Sequence, residues 1–487
     1  VQARFDALGE EAKRVLRAAS IFGLHFPRDG VAALLGHNVQ SLTDWLDILA
    51  AREIVLPAQA GVRDAFTFRH ALMRDAAYDL LTEVDRTNGH RLAGEYLENV
   101  RERDAIVLVE HFERGGVSAK AAFYSRYAAV QALEANDLPA AVERVERGVK
   151  NGAAGPTLGH LRLVEAQARF WRGEYERAEA AARAAVGMLE GASRYEALSE
   201  LAAALGQQAQ YEEIRALLAG IEAAPADGAV EQARLFALVR AASFLVAGGD
   251  YAATERILQA VADQGTPGDS LLTVRALNVR AFYDCHRGAQ ADGVAGFQAA
   301  LAAAERAGAS REACEMLTNI GVTTSEFGCF EDAEAALRSA LAVAQRLGLE
   351  VISTAICANL THVLTALGRL GEARAVAHLA MQAAERQGDR RFYGGTCFYL
   401  ALTELAAGNP AAAASLAKRA ADALKIVPPS LPPALAALGR AYLRLGRVAE
   451  ASASAGEGYR LLEELGHVEE REELVRLVAA ECLMAEG

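Results

Sequence analysis

The residues best placed to do chemistry lie in one short stretch, Phe66-Thr67-Phe68-Arg69-His70-Ala71-Leu72-Met73-Arg74-Asp75-Ala76-Ala77-Tyr78. His70 stands between a β-like run and a helical one. An imidazole there can donate to a phosphate oxygen, or it can bond the neighbouring backbone as an ordinary helix-start residue. A second candidate set is spaced by the chain itself. Asn319 and Asn359 are 40 residues apart and Tyr399 follows after another 40. Two amides and a phenol on one wall can bind a peptide or a small polar ligand, or an asparagine there can simply bond the neighbouring helix end.

Other chemistry finds little support. Cys285, Cys314, Cys329, Cys357, Cys397 and Cys482 show no metal-knuckle or redox spacing and read as small hydrophobes in a reducing compartment. His25, His37, His90, His111, His160, His286, His362, His378 and His467 show no metal spacing, and no metal site is expected. No Gly-x-Ser-x-Gly and no Gly-x-x-x-x-Gly-Lys-Ser/Thr occurs. No catalytic residue is expected, and without the phosphate loop the chain holds no triphosphate for hydrolysis. The five lysines, Lys13, Lys120, Lys150, Lys418 and Lys425, leave nearly all positive charge to arginine. Peptide clamps that grip a C-terminal carboxylate use lysines, and the groove offers none. The net charge of −13 argues against a nucleic-acid surface.

The elements that position these residues are marked by glycine. Gly288, Gly328, Gly368 and Gly408 recur every 40 residues, and Gly308, Gly348 and Gly388 repeat the step half a unit later. Two stops per period, with apolar helical pattern between them, describe tandem helical hairpins, which form a solenoid. After the turn comes a small residue five positions on, as in Gly173 to Ala178, Gly328 to Ala333, Gly368 to Ala373 and Gly446 to Ala451. Asn136 and Ala209 hold the same place without glycine. From Phe330, residues Ala333, Leu337, Ala340, Leu341 and Ala344 make one apolar stripe. Helices are expected from about Ile352 to Leu367 and from Val468 to Met484. Pro428-Pro429-Ser430-Leu431-Pro432-Pro433 reads as a stiff extended connector.

Residues 1–115 leave this frame. Helices are expected at Glu10–Ser20, at Val31–Leu35 and after Ser41 as its cap. Two strand-like runs follow, Glu53–Leu56 and Ala65–Phe68, with Gly61 between them, then a helix from His70 to Leu81. Three helices and a two-stranded wing make a winged-helix pattern. Its third helix carries Asp44, Asp47 and Glu53 against one arginine, Arg52, a balance that repels phosphates. No apolar run reaches the roughly 18 residues of a membrane span, and no signal peptide is present. The chain is therefore expected in the cytoplasm without membrane contact, and the absence of an initiator Met suggests a piece of a longer protein.

The Gly-x-Tyr/Phe turn and the alanine at the helix crossing resemble tetratricopeptide repeats (TPR), lengthened to the 36–40 residues seen in sensor regions of bacterial signalling ATPases such as the maltose regulator. The stretch through Phe68, His70, Leu72, Arg74 and Tyr78 is similar to the segment that follows the nucleotide-binding core of STAND-class signalling ATPases. The resemblance implies an all-α fold: a right-handed α-α superhelix of TPR-like hairpins over 118–487, a winged-helix domain at 1–80, and a helical linker at 81–117. It also implies that His70 contacts the β-phosphate of ADP held by an upstream NTPase domain, so that ADP or ATP is expected through that domain and no cofactor in this chain. An output domain such as a protein kinase, a cyclase or a DNA-binding regulator is implied with it. The expected partners are a protein, peptide or small-molecule effector in the concave groove, lined by Asn319, Asn359 and Tyr399, and the chain's own NTPase domain. The rival expectation is a TPR scaffold that assembles proteins with no link to nucleotide.

Overall fold

The computed structural model describes residues 8–36, 39–57, 65–224, 228–247, 249–263, 270–425, 430–465 and 471–486. Gly61, Pro428, Pro429, His37 and His467 lie outside these residues. The chain divides into two compact units, one running to Ala168 with Ala184–Leu189, the other comprising Arg169–Arg183 and everything from Glu190 onward.

The first unit opens on helix Glu10–Phe22, whose first turn carries Glu10 and Glu11 at its positive end. Strand β1 (His25–Pro27), helices Arg28–Leu35 and Val39–Ala51, and strands β2 (Val55–Pro57) and β3 (Ala65–Phe68) follow. The strands form one antiparallel sheet in the order β1-β3-β2, with Phe26 opposite Phe66 and Val55 opposite Phe68. This is the winged-helix topology with one strand more than the sequence reading expected. β1 is only three residues long and ends in proline. Proline donates no ladder hydrogen bond, and an edge strand tolerates that. The helix expected to start at Ser41 starts at Val39 instead, so Ser41 falls within its first turn. Leu16, Leu42, Leu46 and Leu49 are wholly buried against Phe26, Val55 and Phe68. Asp44 and Asp47 face solvent.

Helices Ala71–Asp79, Glu83–Asn99 and Ala105–Arg114 continue the unit. Thr82 and Asp104 cap the second and third by accepting from Asp85 N–H and Ile106 N–H. The first hairpin, Ser118–Glu134 with Leu138–Lys150, comes next.

In the second unit helices pair into hairpins from Gly191 onward, and Glu472–Glu486 closes the series. Within a hairpin the small residue after the turn is where the helices touch. Ala333, Ala373 and Ala451 are all wholly buried. At Gly328 the backbone is left-handed, φ 76°. Its N–H donates to Ser325 O and that of Cys329 to Thr324 O, so the last carbonyls of the first helix find donors. Ala209 repeats the arrangement at φ 54°, with bonds to Gly206 O and Leu205 O, and Asn136 takes φ 59°. The frame set by glycine thus persists where glycine is absent. Gly206 has a different reason: a Cβ there would lie 2.1 Å from the Phe244 ring, so the first helices of two neighbouring hairpins meet at backbone distance.

The connector expected at 428–433 is partly helix. Leu431–Arg444 includes Pro432 and Pro433 in its first turn, where proline costs no hydrogen bond. All six cysteines are free; Cys314, Cys397 and Cys482 are buried and Cys329 is exposed. No helix among the described residues is long and apolar enough to cross a membrane.

Candidate functional site

Two regions hold the sequence candidates. In the first unit, His70 is the residue that precedes helix Ala71–Asp79, in extended conformation at φ −137° and ψ 136°. Its carbonyl accepts from Met73 N–H at 2.9 Å. Its ring is exposed and makes no capping bond. Arg69 pairs with Glu53 at 3.0 Å. Leu72 is 67% exposed, whereas Phe68, Met73 and Ala77 enter the core. The stretch therefore shows one face to solvent, with His70 and Leu72 on it.

Its last residue leads to a cluster that spacing along the chain did not reveal. Tyr78 Oη lies 2.9 Å from His90 Nε2, and His90 Nδ1 lies 3.1 Å from His111 Nδ1. Both histidines are buried. The bonds are satisfied when Tyr78 donates to His90 and one Nδ1–H donates to the other ring. Burial, then His111 and Arg114, pushes His90 down to about 3; burial, then Arg114, pushes His111 down to about 4. Both are neutral at pH 7. Arg86 covers the Tyr78 ring at 4.7 Å.

In the second unit the candidates sit on the first helices of the hairpins. The turn of chain at Phe170–Tyr175 shows which side those helices present. Arg240 on Gly228–Ala247 stacks over Phe170 at 5.5 Å, and Arg311 on Ser310–Glu326 over Trp171 at 5.4 Å. A Cβ at Gly173 would lie 3.7 Å from Val351 and 3.8 Å from the Asp389 carboxylate. One turn of chain thus meets first helices of several successive hairpins, which requires a wall curved around it. Burial, then Asp389, pushes Tyr175 up to about 12.

On this wall polar side chains connect from hairpin to hairpin. Asn319 Nδ2 donates to Asn278 Oδ1 at 3.2 Å, and Asn278 Nδ2 to Glu315 at 3.3 Å. Arg275, 7% exposed, donates to Glu315 at 2.7 Å and to Glu312 at 3.1 Å. Burial opposes ionisation of Glu315, but Arg275 and Arg240 together hold its carboxyl below the ordinary range. Asn359 is half-buried one hairpin further on. Tyr399 is 8% exposed and stacks on His362 at 5.6 Å between centroids. Arg471 reaches the His362 ring nitrogens from the start of the last helix. Burial, then Arg471, pushes His362 down to about 4.

The structure links Asn319 to Asn278, Arg275 and Glu315, none of which the sequence reading singled out. Asn278 lies 41 residues before Asn319, one residue off the 40-residue step, which lands on Val279. The cations on the wall are arginines: Arg240, Arg275 and Arg311. Among the described residues no group of three or more His, Cys, Asp or Glu is arranged to hold a metal ion.

These features define an all-α array of TPR-like hairpins preceded by a small winged-helix domain. No protein-family model and no curated protein matches the sequence. Among solved structures, the chain is similar to the Rap protein complexed with Competence and Sporulation Factor, at 11% identity and a TM-score of 0.50, over 70% of this chain and 98% of that one. It is also similar to a STAND protein with a tetratricopeptide repeat sensor from Pyrococcus horikoshii, at 13% identity and a TM-score of 0.48, over 98% of this chain. The chain spans 66% of the length of that protein. A third similar structure is NprR in complex with its cognate peptide NprX, at 14% identity and a TM-score of 0.43, over 57% of this chain and 78% of that one. At such identities the likeness is one of fold.

Proposed function

We propose that this chain is the sensing region of a STAND-type signalling ATPase, which binds a peptide, protein or small ligand on the inner wall of its hairpins and couples that binding to nucleotide state. The observation that carries the binding half is the polar chain from Arg275 and Asn278 to Asn319 on first helices that curve around one turn of chain. Buried polar groups linked across hairpins cost stability unless satisfied. Their concentration on one wall fits a ligand surface better than a packing surface. The Rap structure, complexed with Competence and Sporulation Factor, supports the same use of the fold.

The coupling half rests on His70. It stands exposed at a helix start beside a winged-helix core, free to reach a phosphate of ADP bound by an NTPase domain of the same protein. A ligand that favours the open state must bind it more tightly by several kcal/mol, roughly 5.5 to invert a 1:99 population. The test is ADP release from the protein carrying that NTPase domain. His70→Ala should speed release and raise basal output, by about tenfold for one charge-assisted hydrogen bond. Unchanged ADP release leaves a ligand-binding scaffold with no nucleotide lock.

A further inference from the structure

The last described helix, Glu472–Glu486, is apolar on both sides. Leu474, Val475, Val478 and Cys482 pack against the preceding hairpin. Arg440–Glu481 at 3.0 Å and Arg476–Glu463 at 3.2 Å tie the helix to both helices of that hairpin. On its outer side Leu477 is 52% exposed, Leu483 69% and Met484 83%, with Ala480 exposed among them. Elsewhere the array buries this side. Gly487 follows Gly446 by 41 residues and so falls on the turn frame of Gly368, Gly408 and Gly446. Ten residues before those three glycines stand Ala358, Phe398 and Ala436, and seven before stand Thr361, Ala401 and Gly439; all six are buried. The same places before Gly487 are Leu477 and Ala480. Within a hairpin this side meets the second helix. A Cβ at Gly439 would lie 3.2 Å from the Ala451 carbonyl oxygen, and one at Gly321, seven before Gly328, 2.6 Å from Leu337. A helix that ends a solenoid against water carries a polar outer face, whereas Leu477, Ala480, Leu483 and Met484 put no charge on this one.

We propose that two copies of this chain pair through Glu472–Glu486 about a twofold axis at Ala480, the helix of each covering the exposed face of the other. In a helical hairpin the second helix runs antiparallel to the first, and a twofold axis across a helix brings its copy antiparallel too. With the axis at Ala480 the smallest side chain of the face lies at the closest approach, the place that glycine takes at Gly321 and Gly439. Leu477 then faces the partner's Leu483, Arg476 lies along the partner's Met484, and no carboxylate of the helix meets its own copy. An uncharged face gives a nucleic acid or a charged peptide nothing to bind, and one that matches itself fits a second copy. One helix pair buries less than the roughly 1,200 Å² of a standard interface. Association should therefore be weak, with a dissociation constant on the order of 10 μM. The pairing needs no ligand in the groove.

The test is sedimentation velocity of the whole chain over a concentration series, where a reversible monomer–dimer equilibrium is expected. Leu483→Glu should weaken it by about tenfold or more, because each copy then brings an unpaired charge into the contact. Its melting temperature should not change, since the side chain is already exposed. Leu477→Glu should do the same. Cross-linking locates the axis. In a Cys329→Ser background, which removes the exposed native thiol, Ala480→Cys should give a disulfide-linked dimer on oxidation with diamide. Ala485→Cys should not, because its two copies lie about 15 Å apart along the helices. A monomer at every concentration, a dimer that both glutamate variants leave unchanged, or no preference for cross-linking at 480 over 485 overturns the proposal. So does a protein extended past Gly487 that stays monomeric while residues 477–484 resist hydrogen exchange, because a following helix of the same chain then covers the face.

Discussion

The first unit buries histidine where the second buries arginine, asparagine and threonine. His90 and His111 touch through their Nδ1 atoms inside the first unit. In the second, Arg275 and Asn278 are 7% and 2% exposed, and Thr354, Thr361, Thr396 and Thr403 are buried along the first helices. Those threonines return their hydroxyls to their own helix, as Thr361 does to Cys357 O at 2.8 Å. Thr365 and Thr403 also meet across two hairpins at 2.7 Å. The difference is one of titration, half-buried His362 being the second unit's own imidazole held low by burial. A guanidinium or a hydroxyl holds its protonation state throughout the neutral and mildly acidic range, whereas an imidazole held neutral by burial is poised to take up a proton.

Acid is therefore the strongest way to separate the units. The folded values of His90 and His111, about 3 and about 4, lie below the ordinary 6.5. As pH falls below 6.5 the unfolded chain binds protons that the folded one refuses, so stability present above 6.5 is lost progressively toward the folded values. Between pH 7 and 5 the two rings together account for on the order of 4 kcal/mol. Over that range arginine-paired carboxylates such as Glu404, held low first by Arg374, stay ionised. Hydrogen exchange should show residues 83–114 losing protection at pH 5 while residues 191–223, which hold no histidine, keep theirs, after correction for intrinsic rates. His111→Leu should flatten the dependence in the first unit. Equal loss in both segments would place the acid sensitivity elsewhere.

The converse perturbation acts on packing in the second unit alone. Leu337 is wholly buried in the stripe of Phe330–Arg346. A Cβ at Gly321 would lie 2.6 Å from its side chain, so that glycine on the first helix makes room for this leucine on the second. Leu337→Ala should cost about 3 kcal/mol, read as a lower denaturant midpoint with the pH response of residues 83–114 unchanged. Gly321→Ala alone should destabilise. Added to Leu337→Ala it should recover part of the loss, because the new methyl enters the space vacated. Strict additivity of the two would show that these side chains do not share one cavity.

Much of this was open to reading from the chain, for physical reasons that also mark the limit. Gly328 and Ala333 announce a turn and a crossing because the left-handed backbone and the close approach restrict residue type at fixed positions. Asn319 and Asn359 were reachable by the same step. The His90–His111 contact was not, since residues 21 apart on separate helices meet only once the helices pack. Arg240 was equally hidden, because nothing in sequence distinguishes a solvated arginine from one pressed against Phe170. β1 escaped because His25–Pro27 is too short to show alternation. The helical start at Leu431 escaped because its two prolines read as a connector, although both fit a first turn.

The smallest test concerns the repeat frame. Ala209 and Gly328 occupy equivalent turns with the same pair of hydrogen bonds, yet only one is glycine. Ala209 is exposed, so its methyl contributes no packing to set against the left-handed backbone. That conformation costs a non-glycine residue about 1–2 kcal/mol. Replacing alanine by glycine gives back about 0.4–1 kcal/mol through the greater freedom of the unfolded chain. The balance favours Ala209→Gly by about 0.5–1 kcal/mol, and Gly328→Ala should lose a similar amount. Chemical denaturation of the two variants should move the midpoint in opposite directions. A shift of both in the same direction would mean that the two turns are not equivalent and that the frame changes character between residues 209 and 328.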